Sequence, residues 1–173
     1  MIKTGNQVNV VAAFGLAVGG IFGLAGTLVS SPNVQALLWA IDGLALVMAT
    51  SLLALKYFRA GQDFVAAGFL VFAIGEAILM SGYAGGPAAG IPTFAAGVSL
   101  WSLALLLISI PKLFAMPIRL LGLFSAILFL VVAARMFGGE PLLPTSSPLP
   151  FYIYPFFVMT FAGWIWELLR ERS

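Results

Sequence analysis

A chain of 173 residues that is 62% hydrophobic and only 8% charged, with a mean hydropathy of +1.11, has too few charges to cover a soluble core, since soluble domains carry about a quarter charged residues. Its solvent is lipid. The net charge of +2 is small, the basic residues form no stripe and no nucleic-acid motif is present, which sets nucleic acid aside. The chain has neither Cys nor His, and this removes disulfides, thiol relays, thiolate metal sites, the usual haem, zinc and copper ligands and the commonest general base.

A bilayer core about 30 Å thick takes about 20 apolar residues as a helix. Six segments reach that length, so the expected fold is all-α: one transmembrane domain over residues 1–173, a bundle of six helices. The first runs from Val8 to Val29. Its positive flank is Lys3 alone and its apolar stretch of about 22 residues exceeds a signal-peptide core, so it is expected to stay in the mature chain. Gly15, Gly19, Gly23 and Gly26, with Ala12 a turn earlier, share one face of this helix at spacings of three and four. Such a small-residue seam lets another helix backbone come close. The backbone belongs to this bundle on one reading, and to a partner membrane protein or a second copy on the other.

Ser30-Ser31-Pro32-Asn33 breaks the chain before the second helix, Val34 to Leu55, and Pro32 suits helix entry. Gln35, Trp39, Asp42, Ala45 and Ala49 lie along one face of that helix. Asp42 is about eight residues from its outer end, so roughly 12 Å deep at 1.5 Å per residue. Lys56 to Asp63 reads as a charged loop, and Lys56-Tyr57-Phe58-Arg59 as an interfacial anchor rather than a headgroup site. The third helix, Phe64 to Ser81, aligns Phe72, Ala73, Glu76, Met80 and Tyr83. Glu76 is about six residues from the outer end, roughly 9 Å deep. Gly82 to Ile91 is a Gly- and Ala-rich loop.

The fourth helix, Pro92 to Ile110, carries a polar stripe of Ser99, Ser102 and Ser109. Pro111 and Pro117 bracket a short turn before the fifth, Pro117 to Phe137, which holds Arg135 near its outer end. Gly138 to Pro148 is the longest loop. The sixth helix, Leu149 to Leu168, has Pro155 in its first turns, where a kink is expected. Tyr152 and Tyr154 at one end and Trp164 and Trp166 at the other read as two aromatic belts. Three hairpins or two inverted halves would each account for six helices, but no residue match supports either repeat.

Lys3, Lys56, Arg59, Lys112, Arg119, Arg170 and Arg172 fall on one side of this arrangement, and Arg135 alone near the other. That asymmetry predicts a plasma or inner membrane protein with both termini cytoplasmic.

An acid inside the bilayer costs on the order of 2.5–3.5 kcal/mol on insertion scales, so Asp42 and Glu76 need an offset. The polar faces of helices two, three and four are predicted to turn toward one another, away from lipid. Arg135 is the available outer cation, to pair with Glu76, with Asp42 or with Glu140 in the next loop, or to snorkel to the headgroups. The functional reading is a small transporter, channel or solute-binding subunit. Asp42 and Glu76 are then ligand acceptors or proton carriers, Arg135 their counter-ion or an anion contact, and Trp39, Trp101, Tyr83 and Ser102 the walls. The bland reading is a set of satisfied interhelical hydrogen bonds. A second function class is a non-catalytic accessory or assembly subunit that grips a membrane partner through Gly15, Gly19, Gly23 and Gly26. An enzyme on lipids ranks third: carboxyls alone do acid–base work, but no phosphate loop, nucleophile–base set or metal spacing is present. No cofactor and no metal are expected.

Overall fold

A computed structural model describes residues 4–83 and 90–170. It holds six helices long and apolar enough to cross a membrane: α1 (Thr4–Leu28), α2 (Pro32–Arg59), α3 (Asp63–Tyr83), α4 (Ile91–Ser109), α5 (Met116–Phe137) and α6 (Tyr154–Arg170), the last entered through a 3-10 turn, Phe151–Ile153. The chain is an all-α, multi-pass membrane protein.

The boundaries follow from local chemistry. Ser31 is extended (φ −78°, ψ 116°) ahead of Pro32 at the helix start, the conformation that a following proline enforces. The α2 helix runs through Lys56 to Arg59, so that segment is the last helical turn rather than the expected loop. It stops because Gly61 takes a left-handed φ of +70°. There the Gln62 N–H donates to Tyr57 O (2.9 Å) and the Gly61 N–H to Phe58 O (3.1 Å), which satisfies the final carbonyls. The α-helix of the last span begins at Tyr154, so Pro155 occupies its first turn. A proline there lacks only an N–H that has no intrahelical partner anyway, and the expected kink gives way to a helix start.

Each helix packs on its sequence neighbour, and α1 closes on α6. The six therefore form a ring of alternating direction, with both termini at one end. Near that end the Asn9 side chain donates from Nδ2 to Leu168 O (3.0 Å), tying the first helix to the last. Phe14, Ile21, Leu44, Phe64, Leu70 and Ile127 are among the large apolar residues left exposed on the outside, as a lipid-facing surface requires.

Aromatic rings fill the middle of the ring of helices. Phe72 on α3 stacks against Trp101 on α4 (6.0 Å between centroids) and Phe157 on α6 (5.6 Å). Phe129 on α5 meets Trp101 at 5.4 Å and Phe157 at 4.9 Å. Phe69 meets Trp164 at 5.1 Å. Helices α3 and α6, opposite each other in the ring, thus touch through side chains. Trp164 and Tyr154 belong to this interior, 1% and 6% exposed, while Tyr152 and Trp166 remain outside at 58% and 67%. Only one member of each expected aromatic belt is therefore at the surface. A helix turns the other two inward, because residues two apart point to different faces.

Candidate functional site

Asp42 and Glu76 are the two buried acids of the described interior, 4% and 1% exposed. Asp42 lies ten residues into α2 and Glu76 seven residues before the end of α3. Both therefore stand in the half of the bundle away from the termini.

The Asp42 carboxyl rests on α1. A Cβ built on Gly23 would lie 2.7 Å from Asp42 Oδ2, and one on Gly19 would lie 3.3 Å from Oδ1. The rest of the glycine face serves α2 in the same way. Gly15 meets Ala45 and Ala49, Gly19 also meets Leu46, and a Cβ on Gly26 would stand 2.5 Å from Trp39 Cδ1 and Nε1. In antiparallel register Gly15, Gly19, Gly23 and Gly26 thus receive Ala49, Leu46, Asp42 and Trp39. Gln35 secures the end of the pair away from the termini, its Nε2 donating to Gly26 O (2.9 Å) and Val29 O (3.4 Å).

Glu76 rests on α2. A Cβ on Gly43 would come within 3.2 Å of Glu76 Oε1 and 2.5 Å of Met80 Sδ. Gly43 directly follows Asp42, and the two carboxyls are close enough to interact electrostatically. On the other side, the Trp101 indole N–H reaches toward Glu76 without closing a hydrogen bond of good geometry. Asp42 Oδ1, Glu76 Oε2 and Trp101 Nε1 are all buried with no hydrogen-bond partner among the described residues.

The other expected members are placed differently. Arg135 donates from Nε and Nη2 to Glu140 Oε2 (2.6 Å) and Oε1 (2.5 Å). The two side chains are 39% and 41% exposed. Of the partners open to Arg135 in the sequence, the loop acid takes it, because a bidentate pair at the rim escapes the desolvation that a buried pair incurs. Ser102 donates to Ala126 O (2.8 Å) on α5, Ser109 lies against Gly122 on α5, and Ser99 bonds to Ala95 O of its own helix (2.7 Å). The serine stripe thus divides between α5 and its own backbone, and does not join the acids. The side chain of Tyr83 lies outside the described residues.

Two features escaped the sequence. Ser125 on α5 is fully buried, and its hydroxyl has no partner among the described residues. Gly43 makes room for Glu76, and its position beside an intramembrane acid is the signal that could have found it.

A cavity of about 270 Å³ lies beyond the acids, toward the end away from the termini. Pro32, Ala36 and Trp39 of α2, Leu79 of α3, Phe94 of α4 and Leu143 of the α5–α6 connection line it. Trp39 and Leu79 are the lining residues nearest the acids in sequence, each three residues from one of them. Among the described residues no group of three or more His, Cys, Asp or Glu is placed to hold a metal ion. Comparison with known protein families, characterised proteins and solved structures returns no match.

Proposed function

We propose that this protein is a small transporter or solute-binding subunit whose site is the Asp42–Glu76 pair, taking a proton or a monovalent cation. One observation carries the reading. Two buried carboxyls on adjacent helices each keep an oxygen without a hydrogen-bond partner, and neither is in an ion pair among the described residues. A purely structural acid would be expected to have spent its oxygens on backbone or hydroxyl donors, since a buried polar group left unsatisfied costs about 1–3 kcal/mol. Ionisable groups at this depth mark ion and proton pathways more often than packing. The aromatic filling of the bundle centre favours a carrier over an open pore. With the basic residues on the cytoplasmic side of a plasma or inner membrane, the acids would face outward.

The accessory reading loses its surface. Gly15, Gly19, Gly23 and Gly26 are occupied by α2, so a partner would have to grip the bulky opposite face of α1, where Phe14 and Ile21 are exposed.

The test pairs two kinds of substitution. Asp42→Asn with Glu76→Gln keeps shape and removes titratable charge. Leu at either position removes both polarity and charge. In proteoliposomes with a trapped pH dye and sodium or potassium gradients, the double amide should lose proton or cation movement while its thermal unfolding stays near that of the wild type. If ion movement and stability are both unchanged in the double amide, while either Leu variant loses about 1–3 kcal/mol, the acids are structural and the proposal fails.

A further inference from the structure

The cavity above the acids has the wrong lining for an inorganic ion. A hard cation gives up its water only for about six oxygen ligands. This lining offers chiefly carbon, from Pro32, Ala36, Leu79, Phe94 and Leu143. The Gln35 amide nitrogen is already engaged with Gly26 O and Val29 O, which leaves its carbonyl, the Thr145 hydroxyl and the Trp39 indole N–H as the polar side-chain groups of the lining residues.

Yet the floor of this apolar space backs onto two buried carboxyls. Trp39 lines the cavity, and Asp42 is three residues deeper on the same helix. Leu79 lines it as well, and Glu76 is three residues deeper on the antiparallel neighbour. Three residues of helix correspond to about 4.5 Å along the axis. A cation held there would act strongly on the carboxyls across such a distance in a medium of low dielectric and favour their ionised form, and Arg135, held by Glu140, does not compete for them. Trp39 lines the cavity one helical turn from Asp42, its indole edge set into the notch at Gly26. Indole is the best aromatic partner for a cation.

We propose that the cavity binds an organic ammonium ion with an apolar body, its charged head against Trp39 above Asp42 and Glu76 and its body against Leu79, Phe94 and Ala36. Such an ion is weakly hydrated, needs no oxygen cage, and uses both the apolar lining and the buried carboxyls. A neutral hydrocarbon would use only the lining, and a sodium ion only the carboxyls. The proposal rests on the reading of Asp42 and Glu76 as a cation-accepting site, and narrows that site's ligand class.

Benzyltrimethylammonium is a suitable probe, with neopentylbenzene as its neutral isostere and sodium as the inorganic cation. Each is titrated calorimetrically into the purified protein in maltoside micelles, and protein-free micelles report partition into the micelle alone. Saturable ammonium binding to the wild type is expected. It should weaken about tenfold or more in D42N/E76Q, and similarly in A36F, which fills the cavity from an exposed position without touching the acids. Thermal unfolding of each variant checks its fold, and the single amides D42N and E76Q serve if the double variant does not fold. Equal binding of the isostere, unaffected by the amides, overturns the proposal, because the cavity then recognises only apolar surface. Undiminished ammonium binding in A36F overturns it as well. Sodium or proton binding that depends on the acids, with no ammonium binding, overturns the proposal and leaves the acid site standing. If no cation or proton binding depends on Asp42 or Glu76, both readings fall.

Discussion

Gly23 decides where Asp42 sits. A methyl group added there would come within 2.7 Å of Oδ2 and 3.0 Å of Cγ of the carboxyl, closer than a Cβ stands to any settled neighbour. The side chain would have to leave the α1–α2 seam, or the two helices would have to part. Gly20, three residues earlier, provides the control. Its added methyl would meet only the side chains of Val158 and Phe161, at 3.2 and 3.5 Å, contacts that a small side-chain movement relieves. We expect Gly23→Ala to lose about 1–3 kcal/mol of stability, the usual result of overpacking, and Gly20→Ala to stay within about 0.5 kcal/mol of the wild type. Thermal or denaturant unfolding in a single detergent makes the comparison. Equal stability of the two variants would mean that Asp42 is not seated in the glycine notch. The same measurement separates the seam within the bundle from a seam for a partner, since only the first destabilises the isolated chain.

The helices themselves were largely legible, and their facing only in part. Length and hydropathy located all six spans, and Pro32 and Pro117 marked helix starts that the structure keeps. The Glu76 face of α3 does meet Gly43 of α2 and Trp101 of α4, but the Asp42 face and the serines turn elsewhere, for a reason particular to lipid. In water a buried face is more apolar than an exposed one, but in a bilayer both are apolar and small residues mark the contact instead. The Asp42 face of α2 accordingly turns to the glycines of α1, where backbones come closest, rather than to the serines of α4. Those serines pair α4 with α5, where Ser102 bonds to Ala126 O. Arg119 belongs to the same joint. Counted from sequence as one more cytoplasmic charge, it donates from Nε to Ser109 O (2.9 Å) and from Nη2 to Ile110 O (2.8 Å). It thereby closes carbonyls at the end of α4 that have no helical partner. Arg119→Leu should cost about 1.5–3 kcal/mol, the range for hydrogen bonds that involve a charged group. Arg119→Lys should restore little of this, because an ammonium cannot present two donors in a planar fork. Recovery of full stability in the Lys variant would show that charge alone matters at this joint.

At the scale of the whole molecule, ring closure ties the site to the topology. Asp42 and Glu76 share a level because α2 and α3 run antiparallel, and that level lies away from the termini because six spans return the chain to the side where it began. The count is therefore the premise of the proposed function, and a chain without cysteine makes it easy to test. Single cysteines at Ser31 and Ser147 report the end of the bundle nearer the acids, and others at Gly61 and Ala115 report the end that carries the termini. All four positions are exposed. With the basic residues gathered at the termini end, an impermeant thiol reagent added to intact cells should label the first pair and spare the second. Lysis before labelling should expose all four equally, which checks that a spared site is shielded by the membrane rather than by folding. Labelling of Gly61→Cys and Ala115→Cys alone would keep six spans but invert the protein, so that the acids and their cavity would face the cytoplasm. The carrier reading would then concern a solute presented from inside. Labelling that splits either pair would break the alternation itself. Asp42 and Glu76 would no longer be required to share a level, and the site built on them would lose its geometric basis.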